Sequence, residues 1–376
     1  MSAVGTAALQ SVEVVIADIP TIRPHVLAMT TMMAQTVVLV FVMREDGITG
    51  VGEATTIGGL AYGEESPEST KVNIETYFAP LLIGQNGDDP AAIMARLDAH
   101  IVGNRFAKCA IETALLDAKG QATAQPISAL FGGARHAALP IAWTLASGNT
   151  EQDIAEGERV LGARLHRDFK LKIGKRDVAA DCDHVVEIAK AFEGRASIRV
   201  DVNQHWSREQ AREGAARLQD AGVDLIEQPI AGHDIAGMKA LSEDFAIAIM
   251  ADEGLTGPIS AQRYADARAA DVFALKIAQS GGLTKAREVA RIGANASIDL
   301  YGGTMLEGPV GTIASAHLFA TLDHLKWGTE LFGPLLMTQD ILQQPLEYRD
   351  FGLKVPTGPG LGIAVDREKL AQFERS

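Results

Sequence analysis

The sequence predicts an α/β fold: a parallel (β/α)8 barrel preceded by an α+β segment. Three observations carry this. The first ~50 residues alternate apolar and polar side chains with the period of strands. Helical spacing then takes over. From about Leu139 onward, short apolar strands alternate with amphipathic helices. That rhythm is the signature of a parallel sheet whose crossovers are helices.

The elements can be read in order. SVEVVIADI alternates, QTVVLVFVMRE follows, Asp46-Gly47 makes a turn, and GITGVGEATT returns as a hairpin partner. PESTKVNIETYFAPLLIG begins at Ser66 and Pro67 and ends on Gly84, as a helix does. DDPAAIMARLDAHI and FAKCAIETALLDAKGQAT are further helices. Eight strand cores then succeed one another: PIAWTLA, DFKLKIG, SIRVDVN, DLIEQPI, AIMADEG, VFALKIA, IDLYGGT and LKWGTELF. A doubly wound open sheet is the competing arrangement. The helix before IDLYGGT reads weakly, because Gly293, Asn295 and Ser297 interrupt it.

Composition excludes several classes. Lys plus Arg is 34 against 48 Asp plus Glu, a net charge of −14, which argues against non-specific nucleic-acid binding and a basic membrane-surface role. The best apolar run, Thr36 to Met43, has strand length rather than membrane-span length. The amino terminus carries no basic region followed by a long apolar run, so no targeting segment is expected. Cys109 and Cys182 make neither a disulfide framework nor a CxxC pair, which suits a reducing, cytoplasmic compartment. There is no HExxH, no phosphate loop and no GxGxxG after a strand.

Charged residues recur where a barrel should carry aliphatic ones. In DFKLKIG, Lys170 and Lys172 share a face. The same end of the next four strands carries Asp201 with Asn203, then Glu227, then Asp252-Glu253, then Lys276, and the last strand carries Glu330. From Lys172 to Asp201, Glu227, Asp252 and Lys276 the steps are 29, 26, 25 and 24 residues, each about one β/α unit. Any one of these could be a charge turning into solvent at a strand end. In register they mark the carboxyl ends of barrel strands, where active sites sit.

Asp201, Glu227 and Asp252 would repel one another at a barrel mouth. A hard divalent cation resolves this, and oxygen-only ligands suit Mn²⁺ or Mg²⁺. No Cys or His falls in the register, which disfavours zinc; His205 belongs to a strand-end loop. Glu253 is placed to orient a ligand or a lysine. Lys172 and Lys276 flank the carboxylates, the arrangement for moving a proton at a carbon next to a carboxylate.

These residues resemble the enolase superfamily, and within it the muconate lactonizing subgroup. The resemblance covers the whole chain and rests on DIPTIRPH, GEATTIGGLAYGEESPE, AWTLASG, FKLKIG, IRVDVNQHW, DLIEQPI, IMADE, FALKIA, LYGGTMLEG and WGTELFGPLL. It implies a capping domain at 1–132, a modified TIM barrel at 133–345, and a segment at 346–376 returning to the cap. It implies syn cycloisomerisation of the dicarboxylate cis,cis-muconate to muconolactone through an enolate, in catechol breakdown by the β-ketoadipate route. Lys172 would be the acid/base, Asp201, Glu227 and Asp252 the metal ligands, and Lys170 and Lys276 stabilisers of charge. Glu330 would touch substrate or hydrogen-bond within the site. Ile57 and Tyr62 would belong to a lid, with RPHVLAMTTM as the companion loop and its methionines as filler. A homo-oligomer, often an octamer, is implied.

The same lysines and carboxylates serve dipeptide epimerases and N-succinylamino acid racemases. Chlorinated muconate is a further alternative substrate, since one or two pocket side chains decide it. A non-catalytic barrel would be expected to have lost a ligand or a base.

Overall fold

The computed structural model describes residues 7–323 and 325–375. Residues 1–6, the start of the stretch read as lacking a targeting segment, lie outside the described residues. Among the described residues no helix is long and apolar enough to cross a membrane.

Three antiparallel strands open the chain: β1 (Leu9–Val26), β2 (Thr31–Arg44) and β3 (Thr49–Thr55). The β2–β3 turn carries Gly47 at φ +87°, where a side chain would be strained. One face of this sheet packs on the helix Arg105–Ala122, most of which is buried. Gly50 and Gly52 permit the close approach, since a Cβ at either would fall within 2.0 Å of the helix backbone. Ser66 caps the next helix as expected. That helix passes through a π-turn at Ile74–Phe78 before Ala79–Leu82. Pro80 has no N–H to continue the regular ladder there.

Strand β4 (Ala138–Pro140) leads to the barrel: β5 (Trp143–Leu145), β6 (Asp168–Lys172), β7 (Ser197–Asp201), β8 (Leu225–Glu227), β9 (Ala248–Ala251), β10 (Val272–Leu275) and β11 (Asp299–Gly302). These seven, β5 to β11, form one parallel sheet in sequence order. The eighth expected strand, LKWGTELF, differs: it narrows to Thr329, which bridges Gly302 on one side and Ile141 on the other. Gly328 turns the chain at φ +70° just before it, and a short helix begins at Gly333 just after. One residue therefore closes the barrel. The helix before β11 is complete at Leu283–Asn295, against expectation. Its Gly293 is there for closeness, since a Cβ would lie 3.1 Å from Phe273 and Leu300.

Strands β12 (Tyr348–Arg349) and β13 (Gly352–Lys354) pair with β4. The chain then runs back to the first sheet. Glu374 bridges Ala17, and Arg375 forms an ion pair with Asp18 at 2.6 Å.

Inside the barrel, Leu225, Met250, Val272, Ala274 and Tyr301 make a small separate core. Lys170 and Arg199 share that interior, each over the Tyr301 ring at 5.5 Å. The lower barrel is thus filled, and open space remains at the carboxyl ends.

Candidate active site

Parallel pairing sets the site. Lys172 is opposite Asp201 across β6–β7, and Asp201 is opposite Glu227 across β7–β8. Glu227 in turn faces Met250, so Asp252 stands two residues higher on the same inward face. Lys276 follows β10 on the inward parity of Val272 and Ala274. In a barrel of eight staves, β6 and β10 stand four apart, on opposite sides of the mouth.

Asp201, Glu227 and Asp252 each have an ammonium partner. The Lys172 Nζ donates to Asp201 Oδ2 over 2.5 Å. The Lys170 Nζ donates to Glu227 Oε2 over 2.5 Å and to Glu330 Oε2. The Lys276 Nζ donates to Asp252 Oδ2 over 2.6 Å and to the Tyr62 hydroxyl over 2.8 Å. Lys170, Glu227 and Asp252 are at most 1% exposed, so an unpaired charge here would be very costly.

The environments diverge. Burial works to raise Asp201, yet Lys172 and Lys170 hold its pKa below the usual carboxylate value. Burial and then Asp201 push Glu227 well above it. Burial also opposes charge on Lys170, but Glu227 and Glu330 hold its pKa well up. Burial beside Asp252 lifts Glu253 to about 8.

Four buried acceptors here remain without a partner: Glu227 Oε1, Asp252 Oδ1, Asn203 Oδ1 and Glu253 Oε2. Orphaned acceptors, all oxygen and clustered on adjoining strand ends, fit a hard cation. Among the described residues no three acidic, His or Cys side chains form a ready-made cage. The lysines hold the carboxylates instead. Asn203, at φ +45°, grips Asp201 through its backbone N–H at 2.8 Å and its side chain at 3.2 Å. It also donates to Glu253 over 3.1 Å. His205 lies in the loop after β7, its Nδ1 2.7 Å from the Asn203 carbonyl.

A narrow pocket opens above this row. Lys170, Lys172, Lys276, Asn203 and Glu330 line its polar side, and Ile57 and Tyr62 reach it from the first domain. The Tyr62 hydroxyl donates to Asp252 Oδ2 at 2.7 Å and Gln279 Oε1 lies 3.1 Å away. The expected companion loop RPHVLAMTTM reaches it through Leu27 and Met29, and Thr144, Thr304 and Leu306, which sequence reasoning missed, also line it. Met29 is therefore wall rather than filler. Thr144 donates to Glu330 over 3.3 Å. Gln228 receives the Asp252 N–H at 2.9 Å and Gln279 donates to the Asp252 carbonyl, so neutral amides fix the Asp252 backbone. AWTLASG and DLIEQPI held Thr144 and Gln228, but only the charged residues stood out from the pattern.

Residues 11–132 match the mandelate racemase / muconate lactonizing enzyme N-terminal domain, and 152–369 match the enolase C-terminal domain-like family. "Muconate cycloisomerase 1-2" of Acinetobacter lwoffii is 58% identical over 98% of this chain and 95% of that protein. The chain belongs to the muconate cycloisomerase family of the enolase superfamily. A muconate lactonizing enzyme from Pseudomonas fluorescens, solved with muconolactone, has a TM-score of 0.97 at 54% identity, covering 98% of this chain and 100% of that one. "Chloromuconate cycloisomerase CbnB" of Cupriavidus necator is 41% identical over 98% of this chain and 99% of that relative. As in the family, an α+β domain stands against a parallel barrel.

Proposed function

We infer that this chain catalyses the cycloisomerisation of cis,cis-muconate to muconolactone. The observation that carries it is one cavity with Lys172 and Lys276 on opposite sides of a complete carboxylate row. Family membership supplies the substrate class. The higher identity to the muconate than to the chloromuconate relative supports the unchlorinated dicarboxylate.

In this reading Asp201, Glu227 and Asp252 hold a divalent cation, Mn²⁺ or Mg²⁺. When bound, it supplies positive charge beside one substrate carboxylate. The other carboxylate adds to the diene: one C–O bond forms, and a double bond shifts to give an enolate. Lys172 hands its proton to the α-carbon and regains one from solvent; in reverse it removes that proton. Lys170 and Lys276 place fixed positive charge where negative charge develops. Glu330 keeps Lys170 aimed, with Thr144 behind it. Ile57, Leu27, Met29 and Leu306 form apolar walls that exclude water. Tyr62 closes the lid over Lys276.

Dipeptide epimerases and N-succinylamino acid racemases would use the same lysines, but no observation here favours their substrates over muconate. Domain limits of 1–132, 133–345 and 346–376 accord with the tail that runs back to the first sheet. A homo-oligomer, an octamer by analogy with the subgroup, belongs to the same reading. So does a cytoplasmic location, supported by two free, buried cysteines.

The test is loss of the diene absorbance of cis,cis-muconate with Mn²⁺, against an EDTA control. Metal-dependent loss with muconolactone as product by NMR is expected. A metal-loaded protein that leaves muconate intact would refute the reading.

A further inference from the structure

The helix Pro309–Phe319 begins without means to cap itself. Its N-cap is Gly308, with no side-chain hydrogen bond, and its third position is Gly311. These two positions normally supply a reciprocal capping box. Here Glu53, on β3 of the other domain, does both tasks. Its Oε1 accepts from the Gly308 N–H at 2.5 Å, and its Oε2 accepts from the Gly311 N–H at 2.9 Å. Thr55 steadies Oε1 with a hydroxyl at 2.6 Å.

The glycines leave room for this. A Cβ on Gly308 would stand 3.0 Å from Glu53 Oε2, and one on Gly311 2.9 Å from the Glu307 side chain. Glu307 grips the same loop from the barrel side, receiving the Thr304 hydroxyl and the Met305 N–H (2.8 Å). Along the chain, Leu306 lies between the N–H groups that the two carboxyls hold, at Met305 and Gly308, and it sits at φ +59°. A branched residue holds that conformation only when its surroundings force it. Leu306 and Thr304 are both cavity wall.

We propose that Glu53 is a positioning residue: by capping this helix across the domain seam, it holds left-handed Leu306 against bound substrate. Docking of the first domain and the shape of the pocket wall are then one event. This rests on the cycloisomerase reading for its substrate.

The experiment is a double-mutant cycle on KM and kcat for cis,cis-muconate, using E53A, L306G and E53A/L306G. A wall that touches substrate and transition state alike affects KM alone, so E53A should raise KM about fivefold or more with kcat within about twofold. L306G, free of strain at this φ, should raise it at least as much. The double variant should match L306G, because Glu53 acts through Leu306. E53A/G308S returns a cap to the helix itself, and guards against simple unfolding. It should recover the melting temperature lost in E53A but not the KM. Fold-changes that multiply, or a KM that recovers with the melting temperature, would overturn the inference. A wild-type protein inactive on muconate would instead overturn the functional reading, and this inference with it.

Discussion

Asp201 and Glu227 face each other as register partners across β7–β8, each held by a different lysine. Two buried carboxylates on one rung are tolerable only with positive charge nearby. The lysines supply it in this arrangement, and the proposed divalent cation would supply it in the loaded enzyme. D201N should therefore weaken Mn²⁺ binding by more than the ~10–100-fold that an outer-shell partner is worth. Calorimetry on the purified protein measures this. An unchanged affinity would remove Asp201 from the ligand set.

Tyr62 ties the first domain to the barrel through one hydroxyl. It touches both Lys276 and Asp252, while its ring lies 4.8 Å from the Lys276 ammonium. Y62F keeps the ring and loses the hydroxyl, so Lys276 and Asp252 remain paired. A hydrogen bond is worth ~1 kcal/mol net, so KM should rise about 3- to 10-fold with a smaller change in kcat. Steady-state kinetics decides it, and an unchanged KM would mean that the hydroxyl does not hold the lid.

Glu53 makes stability depend on pH. Burial pushes its pKa from 4.5 to about 7, against the hydrogen bonds from Thr55, Gly311 and Gly308. A carboxyl raised in the folded state stabilises the fold fully below its unfolded pKa, and that contribution is lost as pH rises through about 7. At ~1.36 kcal/mol per pKa unit, the whole loss amounts to about 3 kcal/mol. Urea unfolding from pH 5 to 8 should therefore fall more steeply for wild type than for E53Q, whose side chain does not titrate. Parallel slopes would contradict a buried, shifted Glu53.

The barrel and its charged row were legible because both depend on period. Lysines and acids at matched strand ends violate the aliphatic rule, so they stand out in a single sequence. Thr329 was not legible as the lone closing residue, since its neighbours read as a strand and only Gly328 and the helix at Gly333 cut it short. Gly293 looked like a helix breaker because its packing against Phe273 and Leu300 is a tertiary fact. Gln228, Gln279 and Thr144 were invisible for another reason: neutral hydrogen-bonding residues do not break a pattern. Leu306 and Glu53 were hidden because a left-handed backbone and a cap from 255 residues away leave no local mark.

In the proposed mechanism Lys172 delivers the proton. It lies on β6 at the cavity wall, 2.5 Å from Asp201. The most direct measurement is the initial rate of muconate loss for K172A against wild type, with Mn²⁺ binding and melting temperature checked on both. A variant that folds and binds metal but turns over ~10²–10⁴-fold more slowly is the predicted result. A folded, metal-bound K172A within about tenfold of wild type would contradict it, because that falls short of a lost acid/base.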